Sequence, residues 1–347
     1  QKPSLRTLLT ATAAAATLLA VGLPTAAQAQ AKYKDEYRMS LVLGTAFPWG
    51  QGGQLWADKV RERTNGRINI KLYPGTSLVQ GDQTREFSAI RQGVIDMAVG
   101  STINWSPQVK ALNLFSLPFL FPDFAAVDAV TQGAPGQEIF KILDKAGVQP
   151  LAWGENGYRE ISNSKHAITQ PADLKGLKLR VVGSPLFMDT FTALGANPTQ
   201  MSWADAQPAM ASKAVDGQEN PLSVFQAAKL QSVGQKHVTL WGYMNDPLIF
   251  VVNKDVWASW TPEDHEIVRQ AAIDAGREEI AIARKGLVEA GKPLVNELEA
   301  LGVTVTDLNA EQRKAIADAT KAVYTKWNTQ IGTNLVAMAE KAIAART

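Results

Sequence analysis

Residues 173–182 have the sequence DLKGLKLRVV, which predicts a turn followed by a short strand. After the four turn residues, apolar and basic side chains alternate with the period of a half-buried strand. Arg180 leaves this strand near its carboxyl end, on the face opposite Leu179. Ligands of open α/β sheets bind beyond that end of the strands, and a guanidinium matches a carboxylate with two parallel hydrogen bonds. The segment therefore predicts an α/β sheet with an anion site at its edge.

Strand and helix patterns alternate on both sides of this segment. Before it, we predict strands at 38–44, 67–73, 96–101 and 148–153, with helices at 53–64, 82–92, 124–131 and 135–146. After it, we predict a helix at 185–194, a strand at 197–201 and a helix capped by Ser202, in which Pro208 predicts a kink or a later start. This alternation is typical of mainly parallel sheets covered by helices.

The last third of the chain is predicted to return to the first sheet. Strands at 237–243 and 248–253 cross back between two domains, which predicts a hinge. Thr261 then opens a helix that we expect to continue to about Gly291, and Asn309 opens a final helix that runs to about Ala344.

The first 29 residues have the pattern of a secretory signal peptide. Two basic residues precede an apolar run, and Ala27-Gln28-Ala29 fits a cleavage site, so we expect export to the periplasm with cleavage after Ala29. The apolar run is shorter than the roughly 20 residues of a spanning helix, which disfavours a membrane anchor. The chain contains no cysteine, which excludes a disulfide scaffold and a cysteine-linked lipid.

Charge excludes nucleic acid as a partner class. The whole chain carries 35 basic and 33 acidic residues, and 33 of each remain without residues 1–29. A neutral protein has no overall field to attract polyanions, so attraction for a small anion must come from local groups.

Signatures of enzymes are missing from the sequence. The three histidines, His166, His237 and His265, are far apart, and none of the common nucleophile, zinc or phosphate-loop motifs occurs. We therefore expect no catalytic activity, no metal and no cofactor.

Four motifs carry a resemblance to a known family. They are Gly157-Tyr158-Arg159, residues 173–180, Val215 to Pro221 and Gly93 to Met97. With them the chain resembles the DctP-type solute-binding proteins of tripartite ATP-independent periplasmic (TRAP) transporters. The resemblance implies a two-domain, type II-like periplasmic binding fold with a long helix spanning both domains. It implies a ligand cleft between domain I, residues 33–156 plus 247–288, and domain II, residues 157–246 plus 289–347.

The same resemblance implies the ligand-binding residues. Arg180 matches the carboxylate-binding arginine of the family, and Arg159 matches a second arginine at the domain junction. Asn220 and Trp203 match a polar and an aromatic site position. From the residues alone, Arg180 has an alternative interpretation as an exposed or salt-bridged arginine on an edge strand.

Further candidates lie in first-domain loops that face the cleft in the family, or at or near strand ends. These candidates are Phe47, Trp49, Asn104, Trp105, Trp153 and Tyr243. No acidic residue lies among the aromatic first-domain loops, and sugar acids need many polar partners for their hydroxyls. We therefore expect an aromatic or a 2-oxo or 2-hydroxy monocarboxylate as ligand.

The resemblance also implies how the protein works. A monomer binds a small organic-acid anion, closes by a hinge motion and delivers the ligand to the membrane subunits of a TRAP permease, which an ion gradient drives. Two alternatives stay open at this point. One is a ligand-sensing binding protein that signals to a receptor, and the other is a secreted enzyme that uses Tyr158, Tyr243, Asp246 or a histidine.

Overall fold

Eleven short strands form in residues 33–347, the part of the chain that this computed structural model describes. The predicted signal peptide, residues 1–29, lies outside the described residues. In chain order the strands are β1 (Tyr37–Ser40), β2 (Ile70–Tyr73), β3 (Met97–Ser101), β4 (Val148–Tyr158), β5 (Glu160–Asn163), β6 (Lys178–Val181), β7 (Asn197–Gln200), β8 (Gly217–Asn220), β9 (His237–Leu240), β10 (Asn245–Asn253) and β11 (Thr304–Asp307).

The strands form two sheets. The first has the order β2-β1-β3-β10-β4, and the second has the order β11-β9-β5-β8-β6-β7. In the first sheet β10 is antiparallel to both of its neighbours, and in the second sheet β5 is. The remaining five neighbouring pairs are parallel, so both sheets are mixed, with five parallel and four antiparallel pairs in all. The predicted two-domain α/β fold is confirmed.

The chain crosses between the sheets three times, from β4 to β5, from β9 to β10 and from β10 to β11, and the first two crossings lie side by side. Arg159 alone separates β4 from β5, and residues 241–244 separate β9 from β10. β4 pairs with β10 along its length, and the N–H of Arg159 donates to the carbonyl of Met244 at 3.1 Å. The crossing strands are thus hydrogen-bonded to each other where they leave one sheet for the next.

Fourteen α-helices flank the sheets of residues 33–347. They are α1 (Pro48–Arg63), α2 (Glu86–Gln92), α3 (Thr102–Trp105), α4 (Phe124–Thr131), α5 (Ala134–Lys145), α6 (Pro185–Ala193), α7 (Trp203–Ala211), α8 (Leu222–Ala227), α9 (Lys254–Ser259), α10 (Pro262–Arg284), α11 (Pro293–Ala300), α12 (Ala310–Ala319), α13 (Lys321–Ile331) and α14 (Thr333–Ala344). Within the described residues, none of these helices combines the length and the apolar content that are needed to span a membrane.

Two predicted helix starts are confirmed by their caps. The Thr261 hydroxyl accepts from the N–H of Asp264, and Asn309 with Gln312 forms a reciprocal capping box. Such caps satisfy backbone N–H groups that the first helical turn leaves without a partner.

Several predicted helices differ from the structure. The helix predicted at 53–64 begins earlier, at Pro48, because this proline occupies the first helical turn. The helix after Thr261 ends at Arg284 rather than near Gly291, because Gly286 adopts the left-handed conformation with φ of +82°. The predicted final helix is three helices, α12 to α14, separated at Thr320 and at Gly332, where φ is +117°. The predicted delayed start at Pro208 is wrong, since α7 begins at Trp203 and contains that proline.

Helix α10 packs closely on the first sheet through glycines. It lies against α1 and β4, and a Cβ on Gly276 would sit 2.2 Å from the carbonyl oxygen of Trp153. On α1, a Cβ on Gly52 would sit 2.5 Å from the Glu279 side chain. At the other end of the chain, α14 packs on α4 and α5, so the last helices also contact the first part of the fold.

We expect Gly276→Ala to destabilise the protein by about 1–3 kcal/mol, because the added methyl group forces α10 away from β4. This loss opposes the gain of about 1 kcal/mol that alanine brings to a helix interior. Urea unfolding of residues 30–347, followed by circular dichroism, measures the difference. Glu266→Ala is the control, because this glutamate is 77% exposed on the same helix. A Gly276→Ala midpoint at or above that of the wild type would contradict the close-packing argument.

Candidate functional site

A cleft lies where strands of both sheets end. From the first-sheet side the lining residues are Val42, Leu43, Trp49, Gln83, Ser101, Asn104, Asn156 and Asp246. From the crossing and the second sheet they are Arg159, Arg180, Val182, Trp203 and Asn220. Most of these residues lie at or just after the carboxyl end of a parallel strand, which is the edge at which open α/β sheets bind ligands. The side chains leave a cavity of about 20 Å³, close to the volume that one water molecule needs.

Arg180 is a buried cation in the wall of this cleft. Its strand β6 lies between β8 and β7, and the residue is 1% exposed, so the alternative of an arginine on an edge strand is wrong. Nε donates to the carbonyl of Met201 at 3.0 Å, but within residues 33–347 Nη2 has no hydrogen-bond partner. Burial and the nearby charge of Arg159 lower the pKa of Arg180 to about 10, so it stays protonated at neutral pH.

Trp203 covers the same guanidinium. Its ring centroid lies 5.6 Å from Cζ of Arg180, within the range of a cation–π interaction. Trp203 is the first residue of α7 and is half-buried. The aromatic ring therefore forms an apolar wall beside the charge.

Arg159 is paired within the protein. Its Nε and Nη2 atoms bind the Glu219 carboxylate, Nη2 also donates to the Glu219 carbonyl at 2.9 Å, and Nη1 donates to Asp246 at 3.2 Å. Burial alone would lower the pKa of Arg159, but the carboxylates of Glu219 and Asp246 raise it above its usual range. These bonds use four of the five N–H donors of the side chain, so in the described chain one donor of Nη1 remains for another group.

The two acids that pair with Arg159 are themselves held by neutral donors. Asp246 accepts from the Ser101 hydroxyl at 2.6 Å and from Nδ2 of Asn156 at 2.9 Å. Glu219 accepts from the Tyr243 hydroxyl at 2.9 Å. Burial raises the pKa of Asp246, and the charge of Arg159 opposes that rise. The network joins β3, β4, β8 and β10 at the crossing.

Asn104 presents a second buried donor from the opposite side of the cleft. The residue is 2% exposed, and its Oδ1 accepts from Nε2 of Gln83 at 2.8 Å. Its Nδ2 has no hydrogen-bond partner in residues 33–347. Asn220 also lines the cleft, with Nδ2 donating to Gln218 at 2.6 Å.

The structure brings six of the ten predicted site residues together in the lining of the cleft. They are Arg180, Arg159, Asn220, Trp203, Trp49 and Asn104. Contact of these residues with a ligand stays a prediction.

The other four predicted residues lie outside the lining. Trp105 is fully buried and donates to Glu86, and Trp153 packs on Phe115 and Phe140 inside the strand β4. Tyr243 supports the site through its hydrogen bond to Glu219. Phe47 is half-buried and packs against the apolar residues of the first sheet. The sequence placed these side chains near strand ends but did not determine which way each one points.

Several lining residues were not predicted as ligand contacts. These are Val42, Leu43, Gln83, Ser101, Asn156, Val182 and Asp246. Asp82, at which the sequence predicted a helix start, accepts from the N–H of Thr84 and caps the turn that carries Gln83. Residues 33–347 contain no group of three or more histidine and acidic side chains arranged to hold a metal ion.

Comparisons with known proteins place the chain among solute-binding proteins. The model of bacterial extracellular solute-binding protein family 7, DctP, matches residues 39–330. The chain is 73% identical to a TRAP periplasmic solute-binding protein from Ralstonia eutropha H16 with bound (S)-2-acetolactate, with a TM-score of 0.90 over 90% of this chain and 100% of the other.

Two further relatives are more distant. The 2,3-diketo-L-gulonate-binding periplasmic protein YiaO of Escherichia coli K12 is 34% identical over 76% of this chain and 77% of its own. The sugar acid binding protein of Advenella mimigardefordensis, in complex with galactonate, is 27% identical, with a TM-score of 0.84 over 90% of this chain and 98% of the other.

Glu86 is a buried acid behind the cleft wall, close to Gln83. It is fully buried and accepts from the Ser40 hydroxyl at 2.7 Å and from Nε1 of Trp105 at 3.1 Å. Burial raises the pKa of Glu86 to about 7, and these two hydrogen bonds oppose the rise.

We expect Glu86→Gln to gain stability relative to the wild type as the pH rises. A carboxyl whose pKa is higher in the folded state contributes stability below its unfolded pKa, and that contribution is lost as the pH rises through the folded pKa of about 7. Between pH 5 and pH 8 the difference in free energy of unfolding should move by about 2 kcal/mol in favour of the variant. Chemical unfolding across this pH range measures it, with the exposed Glu62→Gln as control. A difference independent of pH would show that Glu86 does not titrate in this range.

Proposed function

We propose, from the premise that this chain belongs to bacterial extracellular solute-binding protein family 7, the DctP family, that it is a receptor for a small organic-acid anion. The anion binds in the cleft between the two sheets. In this proposal the protein carries its ligand to a TRAP permease in the membrane and catalyses no reaction. Its compartment is the periplasm, in agreement with the periplasmic relatives.

The observation that carries the proposal is the state of the two buried arginines. Arg159 is compensated by Glu219 and Asp246, whereas Arg180 lines the cleft, is fully buried and has an Nη2 atom without a partner in the described chain. An uncompensated buried charge costs several kcal/mol, and a carboxylate is the group that offsets it with paired, charge-assisted hydrogen bonds. The unpartnered Nδ2 of Asn104 offers a donor to the same ligand from the opposite wall.

The ligand class that we propose is a small 2-hydroxy or 2-oxo monocarboxylate, with (S)-2-acetolactate as the first candidate. The relative that is 73% identical holds this acid, which carries a hydroxyl, a methyl and a ketone beside its carboxylate. Val42, Leu43 and Val182 add apolar surface to the lining and suit the methyl groups of such a ligand. An aromatic acid is less favoured, because Trp105 and Trp153 pack in the core instead of lining the cleft.

Binding in this proposal is a hinge motion. The walls meet across the cleft, where the N–H of Trp203 donates to Oε1 of Gln83 at 2.8 Å, so the described form is closed. The domains must therefore separate to admit a ligand, and contacts with both domains favour the closed form. We place the hinge at the crossings at Arg159, at residues 241–244 and between β10 and β11. The proposed domain boundaries are at 156/157, 246/247 and 288/289.

We expect the mature protein, residues 30–347, to be stabilised by (S)-2-acetolactate, and we expect Arg180→Gln to abolish the effect. A ligand at about 100 times its dissociation constant raises the free energy of unfolding by about 2.7 kcal/mol. The measurement is thermal unfolding with freshly prepared acetolactate, pyruvate, succinate, galactonate and phenylpyruvate, followed by calorimetric titration of the acids that respond. Arg91→Gln is the matched control, because this arginine is exposed and lies outside the cleft.

The outcomes of this experiment distinguish the proposed ligand class from carboxylate binding in general. A response to galactonate alone would overturn the small-monocarboxylate proposal and leave acid binding in place. Absence of any response, or an equal response from Arg180→Gln, would overturn the carboxylate-binding proposal itself.

A further inference from the structure

Gln83 connects the two walls of the cleft. It is 5% exposed, and its carboxamide makes hydrogen bonds on both sides. Oε1 accepts from the backbone N–H of Trp203 at 2.8 Å, and Nε2 donates to Oδ1 of Asn104 at 2.8 Å. The Asp82 side chain fixes the turn that carries Gln83 by accepting from the N–H of Thr84 at 3.1 Å. One side chain therefore reaches from the first-sheet wall to the start of α7.

The contact with Trp203 supplies a helix cap that α7 lacks in its own sequence. Trp203 is the first residue of α7, so its N–H is one of those that a helix leaves without an internal partner. In the described chain the preceding Ser202, which the sequence predicted as a cap, makes no side-chain capping bond. Gln83 accepts the N–H of Trp203 across the cleft instead. Opening the cleft would leave this donor to solvent.

The same contact determines which atoms of two amides face each other. A backbone N–H can only donate, so Gln83 must turn its oxygen toward Trp203 and its NH₂ group toward Asn104. Asn104 must then present its oxygen to Gln83, which turns its own NH₂ group elsewhere. That NH₂ group is the buried donor with no partner in residues 33–347. The orientation of Asn104 thus follows from the closure contact.

We propose that Gln83 is both the latch of the closed cleft and the positioning residue that makes Asn104 a donor to the ligand. The second part rests on the proposed function, because it concerns an anion bound by Arg180. In the closed form, hydrogen bonds run from the Trp203 N–H through Gln83 to Asn104 and fix the orientation of Asn104. The site then favours ligands that offer Asn104 an acceptor, such as a carboxylate or ketone oxygen. In the open form Gln83 is free to rotate, and Asn104 loses this orientation.

Two substitutions distinguish the role of Gln83 in holding the cleft closed from its role in orienting Asn104. Gln83→Met keeps the size of the side chain but makes neither hydrogen bond, so it removes both. Gln83→Glu keeps an acceptor for the Trp203 N–H, but its carboxylate attracts the NH₂ group of Asn104. Asn104 would then turn its oxygen toward the anionic ligand.

The experiment measures closure of the cleft and affinity for acetolactate in the same protein. The chain contains no cysteine, so spin labels on Glu62→Cys and Thr192→Cys, which are exposed on α1 and α6, report the distance between the domains. We expect Gln83→Met to reduce the population at the closed distance severalfold without ligand, and to raise the dissociation constant for acetolactate at least about tenfold. We expect Gln83→Glu to keep the closed population near that of the wild type while affinity falls at least as far.

The outcomes distinguish this inference from the proposed function. If the wild type binds the acid through Arg180 while Gln83→Met matches it in distance distribution and affinity, only the inference fails. If the wild type binds no acid, the proposed function and the role of Asn104 toward the ligand both fail, and an unchanged distance distribution in Gln83→Met would then overturn the latch as well. If Gln83→Glu keeps wild-type affinity, the orientation of Asn104 is not set by Gln83.

Discussion

The burial of Arg159 between β4 and β5 is the interaction on which the rest of the structure depends. A guanidinium that is 3% exposed must be compensated, and its partners Glu219 and Asp246 come from β8 in the second sheet and β10 in the first. One ion triad therefore ties both sheets to the point where the chain crosses between them. The Tyr243, Ser101 and Asn156 side chains complete the remaining hydrogen bonds of the acids, which fixes the base of the cleft.

In the proposed function, Arg159 has a structural role and Arg180 has the role of recognising the ligand. Arg159 has its acids within the protein, whereas Arg180 is held by a single carbonyl and the face of Trp203. Because the charges of Arg159, Glu219 and Asp246 sum to one negative, the proposed anion would be attracted by the guanidinium of Arg180 at short range rather than by the net charge of these three groups. A site built in this way responds to where the carboxylate sits, which suits discrimination among small acids of equal charge.

Local sequence signals predicted most of the fold and part of the site. The alternation around Arg180, the Thr261 cap and the Asn309 capping box act within a few residues, so each was visible in the sequence. The breaks at Gly286 and Gly332 were harder to place, because a glycine within a helical pattern is compatible with both continuation and termination. Gln83 was missed because its partner Trp203 is 120 residues away, and Trp105 was misplaced because strand-end position does not determine side-chain direction.

The position of β10 has a consequence for how the chain folds. β10 lies between β3 and β4 in the first sheet, yet residues 245–253 follow five of the six strands of the second sheet along the chain. The first sheet has no contact between β3 and β4 until β10 fills the gap, so its assembly must await a late segment. Contacts of such large sequence separation fold slowly, and a chain emerging N-terminus first cannot complete this domain early. The topology thus keeps the first domain incomplete until about three quarters of the sequence has been made.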